Sequence, residues 1–151
     1  MRSKWRDRGR SSLSLGALVL ASLAIAAGTP AVRVDAAWIR WLPAGLPAAG
    51  YLNLTNTGEK PAVLVAASSA DYADVSMHRS VRRGGTVEMA PMAQIVINPH
   101  SSLDFATAGY HLMLMQPAKS LQPGDRVPIT LRFADGSSLS ADFEVRKPDA
   151  Q

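Results

Sequence analysis

Hydrophobic and polar residues alternate along most of the chain after residue 31, with the period of two that is typical of β-strands. No window of about a dozen residues in this part combines a helical period with caps at both ends. The runs predict the strands Val32–Arg40, Tyr51–Asn56, Ala62–Ala67, Val75–Ser80, Thr86–Met89, Ile95–Ile97, Tyr110–Met115, Arg126–Phe133 and Leu139–Val145.

Turn sequences separate these runs. Gly84–Gly85 falls between two of them, and Asp135–Gly136 falls between the last two, where an Asp-Gly pair is a strong hairpin signal. Short strands joined by turns favour two packed sheets or a closed sheet. We therefore predict an all-β domain, an antiparallel Greek-key β-sandwich or flattened barrel of eight or nine strands.

The beginning of the chain has a different pattern. Residues 1–10 carry five basic side chains, and Leu13–Ala27 is an apolar run that ends in small residues. This layout is typical of a secretory signal peptide, and uncleaved it would act as an anchor, although a membrane span usually needs ~20 apolar residues. We therefore predict a signal peptide at 1–27, a β domain at 28–145, a polar tail at 146–151, and a periplasmic location.

Charge and composition exclude several functions. The net charge is +4, but five of the 16 basic residues and one of the 12 acidic residues lie in the first thirty positions. The remainder is therefore electrically neutral, and binding to nucleic acid is not expected. The absence of cysteine excludes disulfides, thiolate metal sites, iron–sulfur clusters, a nucleophilic thiol and a lipid anchor on cysteine.

Histidine and methionine are concentrated in one part of the chain. All three His and five of the six Met lie between Met77 and Met115. In a strand over Tyr110–Met115, His111 and Met113 would share one face with Met115.

The same alternation separates the other candidates. It places His78 on the other face of its strand from Met77, and it places Met89 on the same face as Val87. Thioether sulfur is a poor ligand for zinc, magnesium or calcium and a good one for Cu(I), so a set of two His and two Met would suit Cu(I).

These residues also match a known motif. His78, Met89, His111 and Met113 reproduce the spacing H-(x)10-M-(x)21-H-x-M, and from about Val34 to Val145 the chain resembles the periplasmic copper chaperones called PCuAC. The segments LTNTG and GYHLMLM belong to this resemblance.

The resemblance implies a cupredoxin-like β fold and one exposed Cu(I) site on those four residues. It further implies delivery of copper towards the centre of cytochrome c oxidase, with subunit II or its assembly factor as the accepting partner. No contact with the membrane is expected once the signal is cleaved. A second copper site on the C-terminal tail is not expected, because RKPDAQ contains neither His nor Met.

Other interpretations remain open at this point. A secreted β-sandwich that serves only in adhesion or assembly, with structural Met and His, would explain the same composition. Enzymatic activity is not expected, because the sequence offers no catalytic motif such as a nucleophile elbow. Met92 and Met115 would pack in the core or assist copper transfer, and His100 would be an ordinary surface residue.

Overall fold

The computed structural model of the protein describes residues 31–43 and 45–148. The predicted signal peptide at 1–27 and the last three residues of the chain lie outside the described residues. All regular secondary structure in the described part is β, and no helix there is long and apolar enough to cross a membrane.

Ten strands form the described part of the chain. They are β1 (Val32–Arg40), β2 (Ala48–Asn56), β3 (Ala62–Ser68), β4 (Tyr72–Arg83), β5 (Thr86–Pro91), β6 (Ile95–Ile97), β7 (Ser101–Asp104), β8 (Tyr110–Pro117), β9 (Arg126–Phe133) and β10 (Ser138–Arg146).

The strands are hydrogen-bonded in the order β5-β4-β8-β2-β1-β10-β9-β3-β6, with β7 paired to β2 outside this path. Strand β2 pairs with β8 through its first residues and with β7 through its last residues. Among the described residues no further strand pairs with either end of the path, so β5 is an edge strand next to β4. The first and last strands pair in parallel, and the other strand pairs are antiparallel.

Side-chain alternation explains the core. In β9, Val127, Ile129, Leu131 and Phe133 are buried, and every residue between them is exposed. Phe143 of β10 is also fully buried in this core. Removal of these apolar faces from water is the main force that holds the sheet in its folded shape.

One buried polar side chain fastens a corner of the fold. The Asn56 amide nitrogen at the end of β2 donates to the carbonyl oxygens of Lys60, at 2.8 Å, and Ile97, at 3.1 Å. Its amide oxygen accepts a hydrogen bond from the Gly58 N–H at 3.0 Å. Asn56 is fully buried and therefore joins β2, the following turn and β6 without leaving its own polar atoms unpaired.

The strand prediction needs several corrections. Ser101–Asp104, which is not among the predicted strands, is strand β7, because it pairs with β2. The described residues therefore form ten strands rather than eight or nine, and the β1–β10 pair is parallel rather than antiparallel. Strands β2 and β4 are longer than predicted by three residues at one end and at both ends, respectively, and β3, β5, β8 and β10 by one or two residues at an end, because backbone pairing continues past the alternating runs. Arg146, assigned to the tail, belongs to β10 and accepts a backbone hydrogen bond from Trp41.

The β4–β5 hairpin forms one end of the sheet. Gly84 and Gly85 connect its strands, as predicted, and their φ angles of 54° and 85° lie in the left-handed region that glycine adopts without strain. Met77 of β4 and its cross-strand partner Leu112 of β8 are buried and face the core. Beyond His78, most of the hairpin is exposed.

Candidate metal centre

The register of β4 and β8 places His78 directly opposite His111. Their rings are stacked, with centroids 5.9 Å apart and an angle of 27° between the planes. Two imidazoles that are far apart in the sequence are therefore brought together by one cross-strand pair.

The two predicted methionines lie beside this pair on the same face of the sheet. Met113 is opposite Ser76 and Met89 is opposite Ser80. Because residues two apart on a strand share a face, His78, Met89, His111 and Met113 all point to one side of the β5-β4-β8 segment. Each methionine is displaced along the strands by two residues from the His pair, roughly 7 Å, and the two displacements have opposite directions.

Exposure increases across the site from β8 to the sheet edge. His111 is buried, with 2% of its surface accessible, whereas Met89 on the edge strand is 54% exposed. His78 and Met113 are half-buried. An ion held between these residues would thus be shielded by the protein near His111 and accessible to solvent near Met89.

The hydrogen bond of His111 determines which ring nitrogen has a lone pair. Nδ1 lies 3.3 Å from the carbonyl oxygen of Gly109, and this oxygen also accepts the Ser80 N–H at 3.0 Å. A carbonyl oxygen can only accept, so Nδ1 carries the proton and Nε2 has the lone pair. Nε2 of His111 is buried and has no hydrogen-bond partner among the described residues, and the same holds for Nδ1 of His78.

Burial also favours the neutral form of His111. It lowers the pKa of His111, an effect partly opposed by the hydrogen bond to Gly109 and reinforced by electrostatic repulsion from His78 and Arg40. Metals bind the neutral imidazole, so this environment favours the form that can act as a ligand.

Within the described ranges, no group of three or more His, Cys, Asp or Glu lies close enough to hold a metal ion. A metal bound at the His78–His111 pair would therefore need the thioethers as further ligands. Two neutral imidazoles with two thioethers form a soft, uncharged donor set that suits Cu(I).

The other candidates occupy different positions. Met115 lies on the same face as Met113, opposite Asp74 of β4. Met92 packs against the core, and its N–H donates to the carbonyl of Met77. His100 lies outside the site and is exposed, with Nε2 3.1 Å from a carboxylate oxygen of Glu59.

Three residues that support the site were not singled out by sequence reasoning. Ser76 is two residues from His78 on β4, so strand alternation places it on the same face and could have identified it. Gly109 lies just before β8 and acts through its backbone carbonyl, which side-chain alternation does not reveal. No sequence pattern around Arg40 indicates a role in the site, because Arg40 is brought near it by the pairing of β1 with β2 and of β2 with β8.

Comparisons with known proteins agree with this architecture. The LpqE-like family model matches residues 32–145. The protein Lxx21020 of Leifsonia xyli subsp. xyli, named as a lipoprotein, is 33% identical over 116 residues, which are 76% of this chain and 69% of that protein. These 151 residues contain no cysteine, so lipid attachment to cysteine is excluded within them.

Solved structures show the same fold. The copper-bound PCuAC domain from PmoF2 superimposes with a TM-score of 0.67 at 24% identity, covering 78% of this chain and 94% of that domain. The Cu(I) form of DR1885 from Deinococcus radiodurans has a TM-score of 0.65 at 28% identity, with coverages of 83% and 85%. The expected cupredoxin-like β fold is confirmed. The chain belongs to the LpqE-like family, and its domain is of the PCuAC type.

Proposed function

We propose that this protein is a copper chaperone that binds one Cu(I) ion through His78, Met89, His111 and Met113. The main support is the cross-strand pair of His78 and His111, in which each ring has a buried nitrogen without a hydrogen-bond partner. Metal binding would give both nitrogens a partner. Copper in the related PmoF2 domain and Cu(I) in DR1885 are consistent with this proposal.

The ligand chemistry favours Cu(I) over other metals. Neutral thioether sulfur binds soft ions such as Cu(I), while zinc and Cu(II) favour nitrogen, oxygen or anionic thiolate donors. A neutral donor set also leaves the single positive charge of Cu(I) uncompensated, which makes release to an anionic thiolate set favourable. The site is thus suited to carrying copper rather than to storing it.

The exposed side of the site indicates how copper would leave. Met89 is on the free edge of the sheet and His111 is buried, so an acceptor can replace the methionine first while the histidine still holds the ion. Copper would pass through states in which donor and acceptor share it, without unfolding of the donor. We propose that the acceptor is cytochrome c oxidase subunit II or its assembly factor, as the resemblance to PCuAC implies.

The proposed compartment is the bacterial periplasm. Support comes from the basic and apolar pattern of residues 1–27 and from the choice of thioethers instead of cysteine thiolates. Thiols in an oxidising compartment are liable to form disulfides, and thioethers are not.

Anaerobic titration of the metal-free protein with Cu(I) against a competing chelator tests the binding proposal. We expect a tight complex whose affinity falls when any of the four ligands is removed, with circular dichroism confirming that each variant is folded. A folded protein that takes up no Cu(I) would favour the adhesion or assembly role instead. Transfer is tested separately, by mixing the loaded protein with the metal-free copper domain of cytochrome c oxidase subunit II and following copper in each separated protein.

A further inference from the structure

The two histidines of the site are held through different ring nitrogens. His111 is bonded through Nδ1 to the Gly109 carbonyl, whereas His78 has Nε2 3.1 Å from the Ser76 hydroxyl oxygen. The opposite nitrogen of each ring, Nε2 of His111 and Nδ1 of His78, is buried and lacks a partner. The nitrogen without a partner is therefore Nδ1 in His78 and Nε2 in His111.

The proton on His78 can be placed by comparing two arrangements. If the Ser76 hydroxyl donated to Nε2, the proton of the neutral ring would be on Nδ1, buried and without an acceptor. If Nε2–H donates to the hydroxyl oxygen, Nδ1 has a lone pair. Only the second arrangement offers a metal a ligand atom at the buried nitrogen.

We propose that Cu(I) is bound through Nδ1 of His78 and Nε2 of His111, and that Ser76 is a positioning residue that sets the tautomer of His78. This inference rests on the proposed function, because it concerns the same copper site. The two rings then bind the ion through nitrogens at different distances from the backbone. Nδ1 is the nitrogen nearer the backbone, so His78 would hold the ion closer to its own strand than His111 does.

The place of Ser76 in the sheet supports this role. Ser76 shares a face of the sheet with the four candidate ligands and pairs with Met113, so its hydroxyl lies on the same side of β4 as the His78 ring. Ser80 has the equivalent position on the other side of His78, opposite Met89. Its hydroxyl instead lies 3.4 Å from the carbonyl oxygen of Thr107. Ser80 is therefore a matched control, with the same residue type, strand and face but a different hydrogen-bond partner.

The tautomers can be read from long-range proton–nitrogen NMR correlations of the ¹⁵N-labelled protein, first metal-free and then with Cu(I). We expect protonated Nε2 and unprotonated Nδ1 in His78, and the reverse in His111. On Cu(I) binding, the largest nitrogen shifts should be at Nδ1 of His78 and Nε2 of His111.

Variants test whether Ser76 sets this arrangement. Ser76→Ala should mix the two His78 tautomers in the metal-free protein and weaken Cu(I) binding about 10-fold. Ser76→Thr keeps a hydroxyl and should restore both properties, and Ser80→Ala should change neither. A merely structural role of Ser76 would alter stability without shifting the tautomer.

Two results would overturn the inference while leaving copper binding itself intact. One is a Cu(I)-induced shift at Nε2 of His78 instead of Nδ1. The other is Ser76→Ala protein with the wild-type tautomer and the wild-type Cu(I) affinity. Absence of Cu(I) binding in the wild-type protein would contradict the proposed function, and the metal-free spectra would still decide whether Ser76 sets the His78 tautomer.

Discussion

Met89 and Met113 lie on opposite sides of one histidine pair, each displaced from it by two residues along its strand. An ion bound by both sulfur atoms must therefore lie over the pair, between the two methionines. Neither methionine can substitute for the other, because each reaches the ion from its own side. A metal ion bound by all four side chains would therefore occupy one site rather than two overlapping ones.

The first prediction is a stoichiometry of one Cu(I) per chain. His100 is outside the site and Met92 packs against the core, so neither adds a second set of ligands within the described residues. Titration with Cu(I) against a chelator should show one tight equivalent. A second equivalent of comparable affinity would show that Met115, which shares the face of Met113, takes part in another site.

Met113→Leu should weaken Cu(I) binding with little change in stability. Leucine retains most of the apolar volume but lacks sulfur, and near-isosteric exchanges usually change the free energy of unfolding by about 1 kcal/mol. Chelator competition and urea unfolding measure the two effects. Met92→Leu is the matched control, which should retain wild-type affinity. An unfolded Met113→Leu protein would show that Met113 serves the core instead of the metal.

The metal-free protein should become less stable as the pH falls below about 6.5. Burial lowers the pKa of His111, so between the ordinary value of 6.5 and this lower pKa the unfolded chain binds more protons than the folded one. The free energy of unfolding therefore decreases with falling pH in that window and is unaffected by His111 above it.

Urea unfolding at several pH values checks this effect by comparing the wild type with His111→Gln. The variant should have a shallower pH dependence in the window. The hydrogen-bonded Asp35 and Asp135 have lowered pKa values, so their contributions are lost at a more acidic pH, below 3.8. Equal slopes for the two proteins would contradict the assigned role of His111.

Copper affinity should also decrease between about pH 7 and pH 5. Protons compete with Cu(I) for both imidazoles, and thioethers do not titrate in this range. Some binding should therefore remain at the acidic end. A Cu(I) affinity that is constant across the range, measured with a chelator of known pH dependence, would show that His78 and His111 are not both ligands.

Asn56→Ala should destabilise the domain by about 3 kcal/mol without altering the copper site. The substitution leaves the carbonyls of Lys60 and Ile97 and the N–H of Gly58 without their side-chain partner. Thermal or urea unfolding measures the loss, and Cu(I) affinity of the folded fraction serves as the control. A loss of affinity would mean that this corner of the fold also shapes the metal face.

The sequence predicted most of the strands because buried and exposed side chains alternate with little interruption, as in β9. It did not predict β7, whose residues have no apolar alternation and which is a strand because it pairs with β2. The parallel pairing of β1 with β10 was missed for a similar reason, since it depends on the path of the whole chain.

The candidate ligands could be named from residue type and spacing, but their arrangement could not. Strand alternation gives the face of His78 and of His111 separately, whereas only the register of β4 with β8 makes them direct neighbours. The contribution of Arg40 to the electrostatics of His111 likewise depends on pairing between distant segments. Long-range register is the information that local patterns lack.

The exposure of Met89 makes the metal-free protein chemically vulnerable. A methionine that is 54% exposed on an edge strand is open to oxidants, and oxidation to the sulfoxide replaces a soft, apolar ligand with a polar one. Peroxide treatment of the metal-free protein followed by peptide mass spectrometry should therefore modify Met89 before buried Met77.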